Sequence, residues 1–501
     1  MGTFTPLQTG NSRVFLTEGG ARVDHRPSYE HQLKQMETEQ SFGDVENVYS
    51  PSPRTFGKFD VLGTIRGEEE RPTTSLVGRY AQDLRSLLLE LAKRGCANDL
   101  QLNMGACTDP SLFNEFQKKL IMELANIPSW SSDALGALQP DEKAVVNETA
   151  EISAVRLYEV LPITIAERGG NVLTNEAIDA VICDAISCGE CEELSDGCKK
   201  MFTVTLGAGG SPGTPADVVF SIDSGVNFYA HDVDTLATGE DPSGIACVSG
   251  YVVVISQESC SHHYADKDDF DGVTDPAFTE VTTGYIGSGC PNDIWSLGNF
   301  AFIVGEGGYI YSLQDPTGGV SVIDAGVATV ADLLAVHAIS EEFAVAVGNS
   351  GTVVYTENGT LWQATTTNPV GVGVNLNCVW IKSENEWLVG TSNGRLFYTL
   401  NKGKTWAEKA FPGSGSGVVF DIAFATGSVG YMAHQTAATK GRILRSYDGG
   451  FSWVVVPEGS TLIPANDKIN AIAACEFDPN LVFGAGLADD AMDGIIIVGS
   501  D

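Results

Sequence analysis

Positive charge is scarce in this chain. Its 501 residues hold 29 Lys and Arg against 65 Asp and Glu, a formal net charge of −36. Gripping nucleic acid by its phosphates needs clustered basic side chains, so the composition argues against a DNA- or RNA-binding module. Long apolar runs are missing as well. The longest, such as GIIIVGSD near the C-terminus, fall far below the roughly 18 residues of a membrane-spanning helix, so no membrane insertion is expected. The opening MGTFTPLQTGNSRVF has no basic start followed by an apolar stretch, so no secretory leader is expected. Pro6 stands where a myristoylation pattern wants Ser or Thr. Arginine is rarest of all in the second part of the chain. Beyond residue 205 there are only Arg395, Arg442 and Arg445.

What is abundant is glycine, 56 residues, alongside 43% hydrophobic residues. That balance suits a mainly β protein with many turns. The length allows two or three domains. Residues 1–205 carry a net charge of −12 and residues 206–501 one of −24. Between them, LGAGGSPGTPAD (206–217) reads as a Gly/Pro/Ser linker. The sequence therefore predicts a domain over 1–205, a linker over 206–217 and a second domain over 218–501.

The second domain repeats. VGEGGYIYSLQDPTGG, VGNSGTVVYTENGTLW, VGTSNGRLFYTLNKGKTW and KGRILRSYDGGFSW each combine a Gly-rich turn, an apolar strand and a second turn. Trp362 and Trp406 stand 44 residues apart, and Trp406 and Trp453 stand 47 apart. A period in the forties with several short strands per unit predicts β-propeller blades. The units 240–282, 284–324, 326–366, 370–410, 416–457 and 466–501 give six blades, with seven as the alternative. The last unit has no outer strand, and residues 218–230 carry a turn and outer strand with no strands before them. Pairing the two ends would close the ring and remove its exposed edges.

The turns resemble the Asp-box, or BNR repeat, S-x-D-x-G-x-x-W. Ser446, Asp448, Gly450 and Trp453 match it in full. Thr356, Asn358 and Trp362 match with Asn for Asp, as do Thr399, Asn401, Gly403 and Trp406. Ser221, Asp223 and Gly225 keep it with Phe228 in place of Trp. The logic of such a turn is local: Asp or Asn bonds its own backbone, Gly takes a conformation closed to other residues, and Trp packs over the turn. That makes the box structural. Sialidases carry it too, but they also need three arginines converging on a substrate carboxylate. Arg442 and Arg445, three apart on one strand, point to opposite faces. No enzyme activity is expected.

Metal sites are open at three places. CDAISCGECEELSDGC holds Cys183, Cys188, Cys191 and Cys198, which suit disulfides, a zinc ion around the central C-x2-C, or free thiols. Asp266, Asp268, Asp269 and Asp271 in DKDDFDG offer calcium-type oxygen donors in a frame unlike an EF-hand; a solvated acidic loop is the plainer alternative. His262 and His263 beside Cys260 read as surface residues near a blade turn, with metal binding as the alternative. No other cofactor is indicated.

Residues 1–205 do not repeat. GKFDVLGTIRGEEERPTTSLVGRY (57–80) reads as extended chain. SLLLELAKRG (86–95) reads as a helix with a C-terminal stop, beginning near Ser75, and Leu84, Leu87, Leu88 and Leu91 form its apolar stripe. FQKKLIMELANIPSW (116–130) and AVVNETAEISAVRLYEVLPITIAERG (144–169) read as long strands. This pattern resembles the tail tube (major tail) proteins of tailed bacteriophages. The resemblance implies a β-sandwich or barrel with one flanking helix, stacking as hexameric rings into a conduit through which DNA passes without specific binding. It also implies assembly in the host cytoplasm, other virion tail proteins as partners, and an outward C-terminal domain for decoration or contact with host-surface glycans. Glu148 and Glu151 are candidates for an acidic lumen, against a plain solvated surface. The alternative is a propeller scaffold similar to the Asp-box assembly factors of photosynthetic membranes, or a glycan-binding module.

Overall fold

The computed structural model describes residues 163–501 apart from 169–174, 184–197, 207–215, 237–239, 437–439, 458–466, 477, 488–493 and 501. Over residues 1–162 it describes nine strands and a few of their side chains. The chain forms two compact units, Met1–Pro162 and Ile163–Asp501.

The first unit is an antiparallel sheet. Its strands are β1 (Ser12–Gly19), β2 (Gln32–Glu39), β3 (Val45–Pro51), β4 (Phe59–Arg66), β5 (Thr73–Ala81), β6 (Asn98–Ala106), β7 (Phe116–Ser132), β8 (Val145–Ser153) and β9 (Arg156–Val160). Seven of them join in the order β1-β6-β7-β8-β5-β2, with β9 also on β7. The 17-residue β7 is the long strand expected from 116–130, and it serves three partners by pairing β6 and β9 along its first half and β8 along its second. Ile121, Met122, Ile152 and Val160 are buried. β3 and β4 form a separate hairpin. Two expectations change here. Ser75 lies within β5, so no helix begins there. The single strand expected over 144–169 is broken into β8, β9 and β10 (Thr164–Arg168). The helix expected over 86–95, with its leucine stripe, lies outside the described residues.

The second unit is a seven-bladed β-propeller. Each blade is a four-stranded antiparallel sheet. The innermost strands, blades 1 to 7, are Ala177–Cys183, Pro242–Val248, Pro291–Ser296, Leu333–Ala338, Leu376–Ile381, Val418–Phe424 and Lys468–Ala474. The six-blade count is therefore corrected to seven. The missed blade spans 177–232, where only the third and fourth strands had a legible turn between them. The stretch 206–217 is corrected too. It joins Lys200–Thr205 to Asp217–Ser221, which pair with each other inside blade 1, so it is a connection within a sheet.

Ring closure works as the ends of the repeat suggest, but with a different strand. The outer strand of blade 7 is β10, which pairs Gly494–Ser500 from Thr164↔Ser500 to Arg168↔Ile496. Residues 217–232 instead complete blade 1. Between blades the core is apolar, aliphatic and aromatic together. Phe302, Val304, Leu333, Val336 and Ala346 fill one such interface, and Val345, Val347, Leu376, Val379 and Trp387 fill the next.

Candidate functional site

All seven innermost strands are irregular at the same place, near their start. Register shifts fall between Ala177 and Asp179, Pro242 and Gly244, Pro291 and Asp293, Leu333 and Ala335, Leu376 and Cys378, Val419 and Asp421, and Ile469 and Ala471. A bulge re-aims the side chains around it. Here it sends polar groups across to the following blade.

Each of the seven blade junctions holds one of these bridges. Asp179 accepts the N–H of Ile245 at 2.7 Å, Asp293 that of Val336 at 2.7 Å, and Asp421 that of Ile472 at 2.9 Å. Each also accepts the N–H of its own successor with its other oxygen. Ser243 donates to the Pro291 carbonyl at 2.8 Å. Asn377 donates to Val419 at 3.0 Å, and Asn470 to Ala177 at 2.9 Å. At the fourth junction the N–H of Ile381 reaches His337 Nδ1 at 3.3 Å.

These strands enclose an axial channel of about 1050 Å³. Asp179, Asp293 and Asp421 stand half-buried in its wall on blades 1, 3 and 6. Burial raises all three carboxyls, Asp293 to about 6 and Asp421 to about 7. For Asp179, the charge of Asp293 adds to burial, and Asp421 contributes further. Two positions along, three consecutive blades carry Trp295, His337 and Trp380. The His337 ring centroid lies 4.1 Å from that of each tryptophan. Burial holds His337 near 3, so its ring stays neutral.

The turns singled out by sequence sit between third and fourth strands. Ser446 Oγ donates to Asp448 at 2.9 Å and accepts the Gly450 N–H at 2.8 Å. Asp448 accepts the N–H groups of Phe451 and Ser452. Trp453 is buried and donates to the Gly450 carbonyl. Gly450 has φ +90°, a conformation side chains resist. Ser221, Asp223 and Gly225 repeat the arrangement, and so do Thr399, Asn401 and Gly403. Thr356 and Asn358 keep the side-chain contact at 3.3 Å, and Asn358 accepts from Thr360 and Leu361. Trp362 is buried beside this last turn, whereas Trp406 reaches the Thr367 carbonyl. The residues of each box thus serve their own turn.

The metal candidates resolve differently. Cys183 is disulfide-bonded to Cys247 and Cys198 to Cys475, so neither is available to a four-cysteine zinc site or to pairing within its own cluster. Cys188 and Cys191 lie outside the described residues. Cys260 pairs with Cys290. His262 and His263 are fully buried, which corrects the surface reading. His262 bonds the Pro316 carbonyl, and His263 bonds Thr235 and Ser261. In the acidic loop, Asp266 caps the N–H of Asp268, and Asp271 accepts from Val273 and Thr274. Lys200 stands 3.7 Å from Asp268. Among the described residues no three His, Cys, Asp or Glu are placed to hold one metal ion. Glu148 and Glu151 fall on β8, opposite Gly78 and Ser75, and their side chains lie outside the described residues.

The three arginines go separate ways. Arg395 pairs with Glu408 at 3.5 Å. Arg442 bonds His434 and the Pro412 carbonyl. Arg445 is fully buried between the rings of Tyr431 and Tyr447 and bonds the Pro479 carbonyl. The axial ring was missed by sequence reasoning. Its only sequence signal is a polar residue near the start of six of the seven innermost strands; the fourth, LLAVHA, has only His337, near its end.

No protein-family model matches the chain, and no curated protein matches it. Among solved structures, YCF48 bound to D1 peptide is similar with a TM-score of 0.48 at 15% identity, covering 68% of this chain and 96% of that one. YCF48 from Cyanidioschyzon merolae has a TM-score of 0.49 at 14% identity, covering 67% and 99%. The structure of U3-55K has a TM-score of 0.48 at 11% identity, covering 67% and 98%. At these identities the likeness is one of fold alone. The class defined by the structure is a seven-bladed β-propeller joined to an antiparallel β unit. Among the described residues, no helix is long and apolar enough to cross a membrane.

Proposed function

We propose that this chain is a structural subunit of a bacteriophage tail tube, with the propeller as an appended module. In this reading the first unit associates with copies of itself into rings, hexameric in the family it resembles, and the rings stack into a DNA conduit. The propeller then faces outward, for decoration or contact with host-surface glycans, and other tail proteins bind the tube ends.

The observation that carries this reading is the β3–β4 hairpin. Among the described strands it pairs only with itself. A lone two-stranded hairpin is marginal in water. Seating it on a neighbouring copy supplies the missing surface. Among the described strands, β1 and β2 stand at the two ends of the strand order and lie near each other without pairing. The net charge of −36 suits a conduit that must let DNA slide rather than hold it. The turn boxes and the scattered arginines favour a structural role over glycan hydrolysis.

Electron microscopy of the full-length protein tests the reading. Hollow tubes or stacked rings bearing outer knobs are expected. A protein that stays monomeric across concentration and ionic strength would sink it.

A further inference from the structure

We propose that the axial channel of the propeller is a binding site for an alkylammonium group, as carried by a lysine side chain or a polyamine. The site is separate from any tube-building role, and its failure would leave that reading untouched.

No Lys or Arg is among the described residues lining the channel, while Asp179, Asp293, Asp421, Glu341 and Glu476 all line it. The one basic ring in the wall, His337, stays neutral because it is buried. Nothing in the lining therefore offsets the carboxylates. Asp179, Asp293 and Asp421 sit on blades 1, 3 and 6, spaced as evenly as seven blades permit. Each has its two oxygens tied to one backbone N–H apiece, which leaves lone pairs for a cation.

The second part is aromatic. Trp295 and Trp380 are half-buried and line the channel with their rings nearly perpendicular, centroids 5.6 Å apart. At the same level, three of the other four blades present only Ala246, Ala423 and Ala473. The wall is thus aromatic on one side and small on the other. Tryptophan faces attract alkylammonium groups, and a desolvated site strengthens that attraction. Bare metal ions fit less well, since no three ligating groups are close enough to hold one.

The third observation is a buried donor. His337 Nδ1 accepts the Ile381 N–H, so the proton of the neutral ring sits on Nε2, which is buried with no hydrogen-bond partner. A lysine-bearing peptide brings carbonyl oxygens as well as the ammonium, and a carbonyl is the acceptor this donor lacks.

Calorimetric titration of the full-length protein tests the proposal with four probes: acetyl-Gly-Lys-Gly-amide, spermidine, the norleucine analogue of the peptide, and magnesium chloride. Binding of the lysine peptide or spermidine, with the norleucine peptide at least about tenfold weaker, supports the proposal. Which of the two binds identifies the source of the group. Equal binding of the norleucine peptide, binding of magnesium alone, or binding of no probe overturns it. Trp380→Leu, which stays apolar but removes the ring, is expected to weaken binding about tenfold. Protonation of Asp293 and Asp421 competes with the cation, so wild-type affinity is expected to fall at least about tenfold from pH 8 to pH 5. Glu341, Glu476, Asp179 and the neutral His337 also face the site, and Cys378 is its one buried thiol. Unchanged affinity across that range would also overturn the proposal, and this wild-type measurement stands even if the variant misfolds.

Discussion

Cys475, on the last blade, is disulfide-bonded to Cys198, 277 residues earlier on the first. The bond spans the junction where the two ends of the ring meet. Cys183–Cys247 spans the next junction and Cys260–Cys290 the one after it. Among the described residues these three staples lie on consecutive junctions, and the first of them reinforces the seam closed by β10. Cys198→Ala is expected to lower stability by about 2–4 kcal/mol, since the cross-link restricts the unfolded chain. Urea unfolding with and without reductant measures it. A wild-type midpoint that ignores reductant would show that the bond adds nothing.

The place of β10 makes a sharper prediction about boundaries. A fragment 206–501 lacks the outer strand of blade 7 and the first two strands of blade 1. A fragment 163–501 keeps all seven blades whole. The longer fragment is expected to melt cooperatively and to elute as a monomer, and the shorter one to aggregate or unfold. Circular dichroism melts and size-exclusion chromatography decide this. Equal behaviour of the two would refute the closure described here.

The rim turns predict a graded pair of substitutions. Ser446 Oγ serves both Asp448 and the buried Gly450 N–H. Ser446→Ala leaves that N–H without a partner, at a cost of about 1–3 kcal/mol. Asp448→Asn is expected to cost less, because Asn401 makes the same Oδ1 contacts in the preceding blade. Denaturant midpoints compare the two, and a reversed order would contradict this account of the turn.

Buried carboxyls and buried histidines give the propeller opposing responses to acid. Burial raises Asp421 to about 7 and Asp293 to about 6. Asp217 is also near 7, through burial and then its hydrogen bond to Asp232. An unfolded Asp titrates near about 3.9. Between about pH 4 and 7 these carboxyls therefore bind more protons in the folded chain, and the stability they contribute falls as pH rises through that window. Burial holds His263 and His434 near 4 and His337 near 3, so between about pH 4 and 6.5 these rings take up protons only in the unfolded chain, and the stability they contribute rises with pH. Unfolding free energies of the wild type and Asp421→Asn at pH 5 and pH 7.5 separate the two. The substitution is expected to cost more at pH 5, where the buried carboxyl contributes most, and equal costs at both would contradict the raised carboxyl.

The turns were legible in the sequence because their chemistry is local. Asp448 bonds residues three and four positions away, so composition and spacing carry the whole interaction. The blade period was legible for the same reason, and five of the six units marked by sequence coincide with blades 2 to 6. Blade 1 was hidden because its first two strands, Ala177–Cys183 and Lys200–Thr205, precede its turn box and are separated by the cysteine-rich stretch. β10 was hidden because a five-residue strand has no periodicity to distinguish it, and its partner lies more than 300 residues away. The cysteine partners and the axial carboxylates belong to the same class. What joins Asp179 to Ile245, or Cys198 to Cys475, is the closing of the ring, which brings together residues that no local spacing relates. Short-range hydrogen bonds fixed the parts, and the burial of seven apolar interfaces around one axis decided how many parts there are and which of them meet.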